Sequence, residues 1–264
     1  MIWEPHRFRL RNLKESENKA HSREEARERG FGGSIVGGAM VYGRMIQPVI
    51  ERLGLEWLTR SRLDIRFKSP AYDDDLLEVS IEEQDSSLRL RTFNEEGTEL
   101  LEMTTHLVAE APPLDPRASS EPIDWQGERV EGTWERFVLD QPFRTFHWAL
   151  ALDEQIAYCD ATDDRLPIYR NTSTPPAHPG LVMAQGSHMV ANQFVMPFWI
   201  HASSTLLHRR AIRVGDNVQT RCVPYEKWRK GANEWVKFYQ LYLVDEEPAI
   251  EVWKTSVIKV AARR

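Results

Sequence analysis

The sequence predicts an α+β chain built as two tandem units, each a curved antiparallel sheet wrapped around a central helix. Three observations predict it. First, the chain carries an internal repeat. Leu63–Val79 (LDIRFKSPAYDDDLLEV) and Ser204–Thr220 (STLLHRRAIRVGDNVQT) match at a shift of about 141 positions, which places Asp75 on Asp216, Leu77 on Val218 and Ala71 on Ile212. Second, each copy follows an apolar helical segment and precedes further alternating segments, the order that wrapping a sheet around a helix requires. Third, residues 111–131 are rich in Pro, Asp, Glu and Ser and read as a linker that buries little. The expected units are therefore residues 1–110 and 132–264.

In the first unit, residues 3–13 read as an opening strand and residues 23–29 as a short charged helix. A glycine-rich turn, Gly30–Gly38, leads into an apolar helix over 39–53. Gly54 is expected to stop that helix and Pro48 to kink it. Strands are expected near 63–68, 76–83, 88–94 and 99–109, with Glu96-Gly97 as a hairpin turn. The second unit repeats the order. Residues 135–139 open it, helices cover 153–161 and 181–195, and strands lie near 200–208, 217–224, 234–244 and 250–260. The central helices are only weakly amphipathic, as expected where both faces meet protein. Side by side, the two units can join their sheets into one.

The chain has 264 residues, of which 41% are hydrophobic and 28% charged, so a packed core is expected. The net charge of −6 disfavours nucleic acid as partner. Cys159 and Cys222 are too few and too far apart for a disulfide framework or a zinc site, and read as reduced thiols of a cytoplasmic protein. No His/Asp/Glu/Cys cluster has metal spacing, and the glycine run lacks the Gly-Lys-Ser/Thr ending of a nucleotide loop. No signal peptide or bilayer-spanning run is visible. No metal, cofactor, nucleic acid or membrane partner is expected; a homodimer is.

The segment Ser16–Met40 (SENKAHSREEARERGFGGSIVGGAM) resembles the signature of the MaoC-like hydratases and dehydratases: an Asp-x-Asn-Pro-x-His run, a short helix, then Gly-Phe and a glycine turn into the central helix. Asn18, His21, Ala26, Gly30, Phe31 and Gly38 hold matching positions. Ser16 stands where the family has its catalytic Asp, and Lys19 where it has Pro. A fainter copy, Ala161–Tyr169 (ATDDRLPIY), places Asp164 at the Asp position, Pro167 at the Pro and Tyr169 at the His. Ala177-His178-Pro179-Gly180 then leads into the second helix. The resemblance implies a double hot-dog fold that binds an acyl thioester of coenzyme A or acyl carrier protein.

In that family an Asp–His dyad adds water to an enoyl thioester or removes it from a 3-hydroxyacyl one. A histidine suits this work because its pKa lies near working pH. Backbone N–H groups at a glycine-led helix start stabilise the enolate oxygen; Gly37 and Gly38 are the candidates. His21, Asn18 and Asp164 are the catalytic candidates, and Ser16, Gly37, Gly38, Tyr169 and His178 the substrate-binding ones. Neither motif is intact. His21 works with Asn18 or Glu17, or His21 and Asp164 belong to two altered sites, or the pocket binds without catalysing. Alongside a hydratase stand a thioesterase on the same fold and a non-catalytic acyl binder. His188 and Asn192 share a helical face, either as a surface patch or as pocket donors.

Overall fold

The computed structural model describes residues 3–13, 17–121, 123 and 127–261. Strand β1 (His6–Arg9) opens the chain and is followed by α1 (Arg23–Glu28), α2 (Gly38–Met45) and α3 (Gln47–Arg60). Strands β2 (Ser61–Phe67), β3 (Leu76–Gln84), β4 (Ser87–Asn94) and β5 (Glu99–Leu107) complete the first half. Short strands β6 (Val130–Glu131) and β7 (Phe146–Trp148) lead to α4 (Leu152–Ala161) and α5 (Pro179–Gln193). Then come β8 (Phe194–Val195), β9 (Ile200–His208), β10 (Val218–Lys230), β11 (Asn233–Val244) and β12 (Glu247–Lys259).

Three sequence expectations shift. Only four residues of the opening segment pair, on β3, with Phe8 turned inward. The expected single helix over 39–53 is two. Pro48 falls in the first turn of α3, where its missing N–H leaves no hydrogen bond unmade. Gly54 takes φ 54° and ψ −134°, non-helical angles that end one helical stretch as expected, and a second stretch follows across the kink. Residues 134–136 form a 3-10 turn at the segment expected to open the second unit. The linker region is docked in part: Asp115 accepts from the Trp253 indole at 2.9 Å, and its own N–H donates to the buried Glu251 carboxylate at 2.9 Å.

Ten strands form one sheet in the order β1-β3-β4-β5-β2-β9-β12-β11-β10-β7, and every neighbouring pair is antiparallel. The halves join where β2 lies along β9, from Arg62 opposite Leu207 to Arg66 opposite Ser203. This is a double hot-dog fold. The repeat seen in the sequence recurs bond for bond. The Asp75 carboxylate caps the Tyr72 N–H at 2.7 Å, and Asp216 caps the Arg213 N–H at 2.8 Å. The Val36 N–H reaches the Ala71 carbonyl at 2.8 Å, as Ala177 reaches Ile212 at 2.8 Å. The bridge Ile35–Tyr72 has its counterpart in Pro176–Arg213. One shift relates all three pairs, so Gly37 at the start of α2 corresponds to His178 at the start of α5.

Apolar alternation along the strands aims Leu63, Ile65, Leu77 and Val79 at the helices, and a single core cluster runs from Phe8 to Val252 across both halves. The helices α2 and α5 cross at glycines. A Cβ on Gly43 would sit 3.0 Å from the Gly180 Cα, and one on Gly180 would sit 3.1 Å from the Ala39 carbonyl oxygen. This close crossing sets α2 directly against α5.

Candidate functional site

A cavity of about 740 Å³ opens between the glycine-led start of α2, the later turns of α5 and the first residues of β9. That size suits a small-molecule or acyl ligand. Among its lining residues are His21, Gly37, Gly38, Ser187, Trp199 and His201. Thus the first half supplies one wall and the second half another.

His21 ends a 3-10 turn over Lys19–His21, capped by Asn18. The Asn18 amide bonds to backbone on both sides of the site. Its oxygen accepts from Ala20 N at 3.1 Å and Trp199 N at 3.3 Å, and its nitrogen donates to the Trp199 carbonyl at 2.9 Å. Asn18 therefore pins the motif to the second half and does not orient the imidazole. The orienting group is the Ile35 carbonyl, 2.6 Å from His21 Nδ1. A carbonyl only accepts, so Nδ1 carries the proton and Nε2 presents its lone pair. Burial pushes the His21 pKa below the usual value, and the bond to Ile35 opposes this only in part. The neutral, proton-accepting form therefore prevails at neutral pH. Glu17 also lines the cavity, but its carboxylate is held by Arg129 at 2.7 Å. Ser16 lies outside the described residues.

The start of α2 stands next to this histidine. A Cβ on Gly37 would be 3.5 Å from His21 Cε1. Gly37 is the N-cap and has no side chain to close the helix end. The first amides of a helix have no acceptor within it, so they carry partial positive charge toward the cavity. Gly38 is glycine for a steric reason: a Cβ there would meet the Phe67 ring at 2.6 Å.

The matching place in the second half is closed. His178, the counterpart of Gly37, caps α5 with its own ring, Nδ1 accepting from Gly180 N at 3.1 Å. Its Nε2–H then donates to Asp164 Oδ2 at 3.2 Å, and both side chains are fully buried. Burial lowers the His178 pKa, against the pull of Asp164. Burial alone would raise Asp164, but its bonds from His178 and Leu166 N outweigh that and hold it low. The Tyr169 and Tyr158 rings pack on the imidazole at 4.7 and 4.8 Å. Asp164, Tyr169 and His178 thus meet each other rather than the cavity, contrary to the expectation that they serve it. Every polar atom of the His178–Asp164 pair is spent on the fold.

Sequence reasoning singled out His188, which does line the cavity, and Asn192, which instead accepts from Arg144. It missed Ser187, Trp199, His201 and the buried Lys254. Lys254 reaches the cavity wall by donating to Ser187 Oγ at 2.7 Å. The available signal was a lysine inside an apolar strand. Among the described residues, no three His, Cys, Asp or Glu side chains converge as metal ligands would, and no helix is long and apolar enough to cross a membrane.

No protein-family model matches the sequence, and no curated protein matches it. Solved structures do resemble the chain. One assigned as a MaoC-domain dehydratase, from Chloroflexus aurantiacus, superposes with a TM-score of 0.66 at 9% identity, covering 92% of this chain and 88% of that one. A conserved Mycobacterium tuberculosis protein with a double hot-dog fold gives 0.54 at 11% identity, covering 88% and 84%. A protein assigned as an oleoyl thioesterase, from Lactobacillus plantarum, gives 0.51 at 10% identity, covering 96% of each. The chain shares its double hot-dog fold with these proteins.

Proposed function

We propose that the chain is an acyl-thioester hydratase or dehydratase of the MaoC-like kind, with His21 as its general acid and base. The observation that carries this reading is the commitment of His21 Nδ1 to the Ile35 carbonyl, beside the uncapped start of α2. That leaves a neutral Nε2 as base, next to amides suited to a developing oxyanion.

In hydration, Nε2 takes a proton from water as its oxygen bonds to C3 of the enoyl thioester. Electrons move to the thioester oxygen, which the amides of Gly37 and Gly38 stabilise. The imidazolium then returns the proton to C2 as the enolate collapses. Dehydration of a 3-hydroxyacyl thioester runs the same steps backwards. One base handles both protons, so no carboxylate partner is needed, and addition is expected on one face. Asn18 serves by position, holding the His21 turn against Trp199.

The test is a panel of enoyl-CoA esters of rising chain length, followed for hydration and for thiol release. Hydration by the wild type, lost in His21→Ala, is the expected result. Thiol release without hydration would replace this reading by a thioesterase. Tight binding of the esters with neither reaction would replace it by an acyl-binding protein.

A further inference from the structure

One buried charge has no part in the steps above. Lys254 lies on β12, 1% exposed, with its side chain against α5. Its Nζ donates to Ser187 Oγ at 2.7 Å and sits 5.0 Å from the Trp199 ring centroid. Among the described residues, no carboxylate pairs with it. Its surroundings are neutral donors and acceptors from each packed strand. From β9 come His201 and Ser204, bonded to each other at 2.7 Å. From β10 comes the Cys222 thiol, which in turn accepts from the amide nitrogen of Gln240 on β11 at 3.8 Å. An ammonium buried without a counter-charge costs several kcal/mol. Burial accordingly pushes the Lys254 pKa down to about 7.

Lys254 does not line the cavity, but Ser187 does, half-buried on α5. Because Ser187 Oγ accepts from the ammonium, its own hydrogen can turn to the cavity. A hydrogen bond from this hydroxyl to an ionised acceptor is about twice as strong as one to a neutral acceptor. Trp199 ties this wall to the histidine wall, since its backbone is held by Asn18 and its ring faces Lys254.

We propose that Ser187 and Lys254 form a recognition pair for the distal end of the acyl group, and that the preferred substrate is a thioester whose acyl chain carries a terminal carboxylate. This rests on the reading of the cavity as an acyl-thioester site. The carboxylate accepts from the Ser187 hydroxyl and supplies the counter-charge that Lys254 lacks. Ser187 and Lys254 are specificity residues; the proton transfers stay with His21.

The experiment compares crotonyl-CoA with the ester in which its methyl is replaced by a carboxymethyl group, in the wild type, Ser187→Ala and Lys254→Met. Selectivity is the ratio of kcat/KM values within one preparation, so any loss of folded protein cancels. The wild type is expected to favour the carboxylated ester by roughly tenfold or more, and both variants to bring the ratio near unity. In parallel, titration calorimetry in two buffers measures proton uptake when the saturated carboxylated acyl-CoA binds at pH 7. Net proton uptake is expected in the wild type and none in Lys254→Met, because a carboxylate beside the buried lysine favours its protonated form. No preference in the wild type, or a preference that survives both substitutions, overturns the proposal. So does an acyl group found covalently on Ser187, which would make it a nucleophile. If neither ester is hydrated but Lys254-dependent preference and proton uptake persist in binding, the hydratase reading fails and the recognition pair stands.

Discussion

An imidazole with both nitrogens bonded is a strut; one with a single nitrogen bonded to a carbonyl can serve as a base. His178 is the first kind and His21 the second. The difference predicts separate phenotypes. For His21, burial favours the neutral form, so kcat/KM for hydration should be level through neutral pH. It should fall as pH drops through an apparent pKa below the usual 6.5, because protonation removes the base. A pH–rate profile checks this. Asp164→Ala removes the acceptor for the His178 Nε2–H and for Leu166 N. It should cost roughly 2–4 kcal/mol in urea unfolding, while the protein that remains folded keeps a kcat within a few-fold of wild type. An equal loss of kcat would place Asp164 in the chemistry instead.

At the level of elements, the glycines at the helix starts and crossing carry the geometry. Gly43→Ala forces a methyl to within 3.0 Å of the Gly180 backbone, and neither helix can give way without moving its sheet. A loss of about 1–3 kcal/mol is expected, measured by denaturant melts. The elements were mostly legible in the sequence. Alternation and turn residues placed β9 over Ile200–His208 as observed, and the Asp75/Asp216 match marked two equivalent capped turns. Pro48 marked an interruption that the structure places at Ile46, two residues earlier, because proline is favoured in the first turn of the helix that follows. The site was half legible. His21 and Gly37–Gly38 sit in one short segment, so their proximity is written locally. The Ser187–Lys254 bond joins residues 67 apart in the chain, and the sequence signal was only that Lys254 shares its strand face with Ile250, Val252 and Ile258. Asp164 and His178 carry residue types suited to catalysis, but nothing in the sequence marks them as closed in by tyrosines.

For the whole molecule, one sheet and one shared core cluster make the halves interdependent. Unfolding should be a single transition in which far-ultraviolet dichroism and tryptophan fluorescence coincide, since tryptophans occur in both halves. Burial lowers the pKa of His6 to about 4, that of His208 to about 4, and that of His178 below its usual value. The unfolded chain binds these protons more readily, so stability should be full above about pH 6.5 and fall as pH drops from there toward 4. Thermal melts across that range check the sign. The proposed mechanism has one histidine in this shared cavity carry the proton both ways. It is tested most directly by hydrating an enoyl-CoA ester in D₂O and locating deuterium at C2 by NMR, with wild type and His21→Gln. Deuterium is expected on the same face as the new hydroxyl, with a rate that falls roughly 10²- to 10⁴-fold in the variant. Deuterium on the opposite face, or hydration by the variant at the wild-type rate, would contradict it.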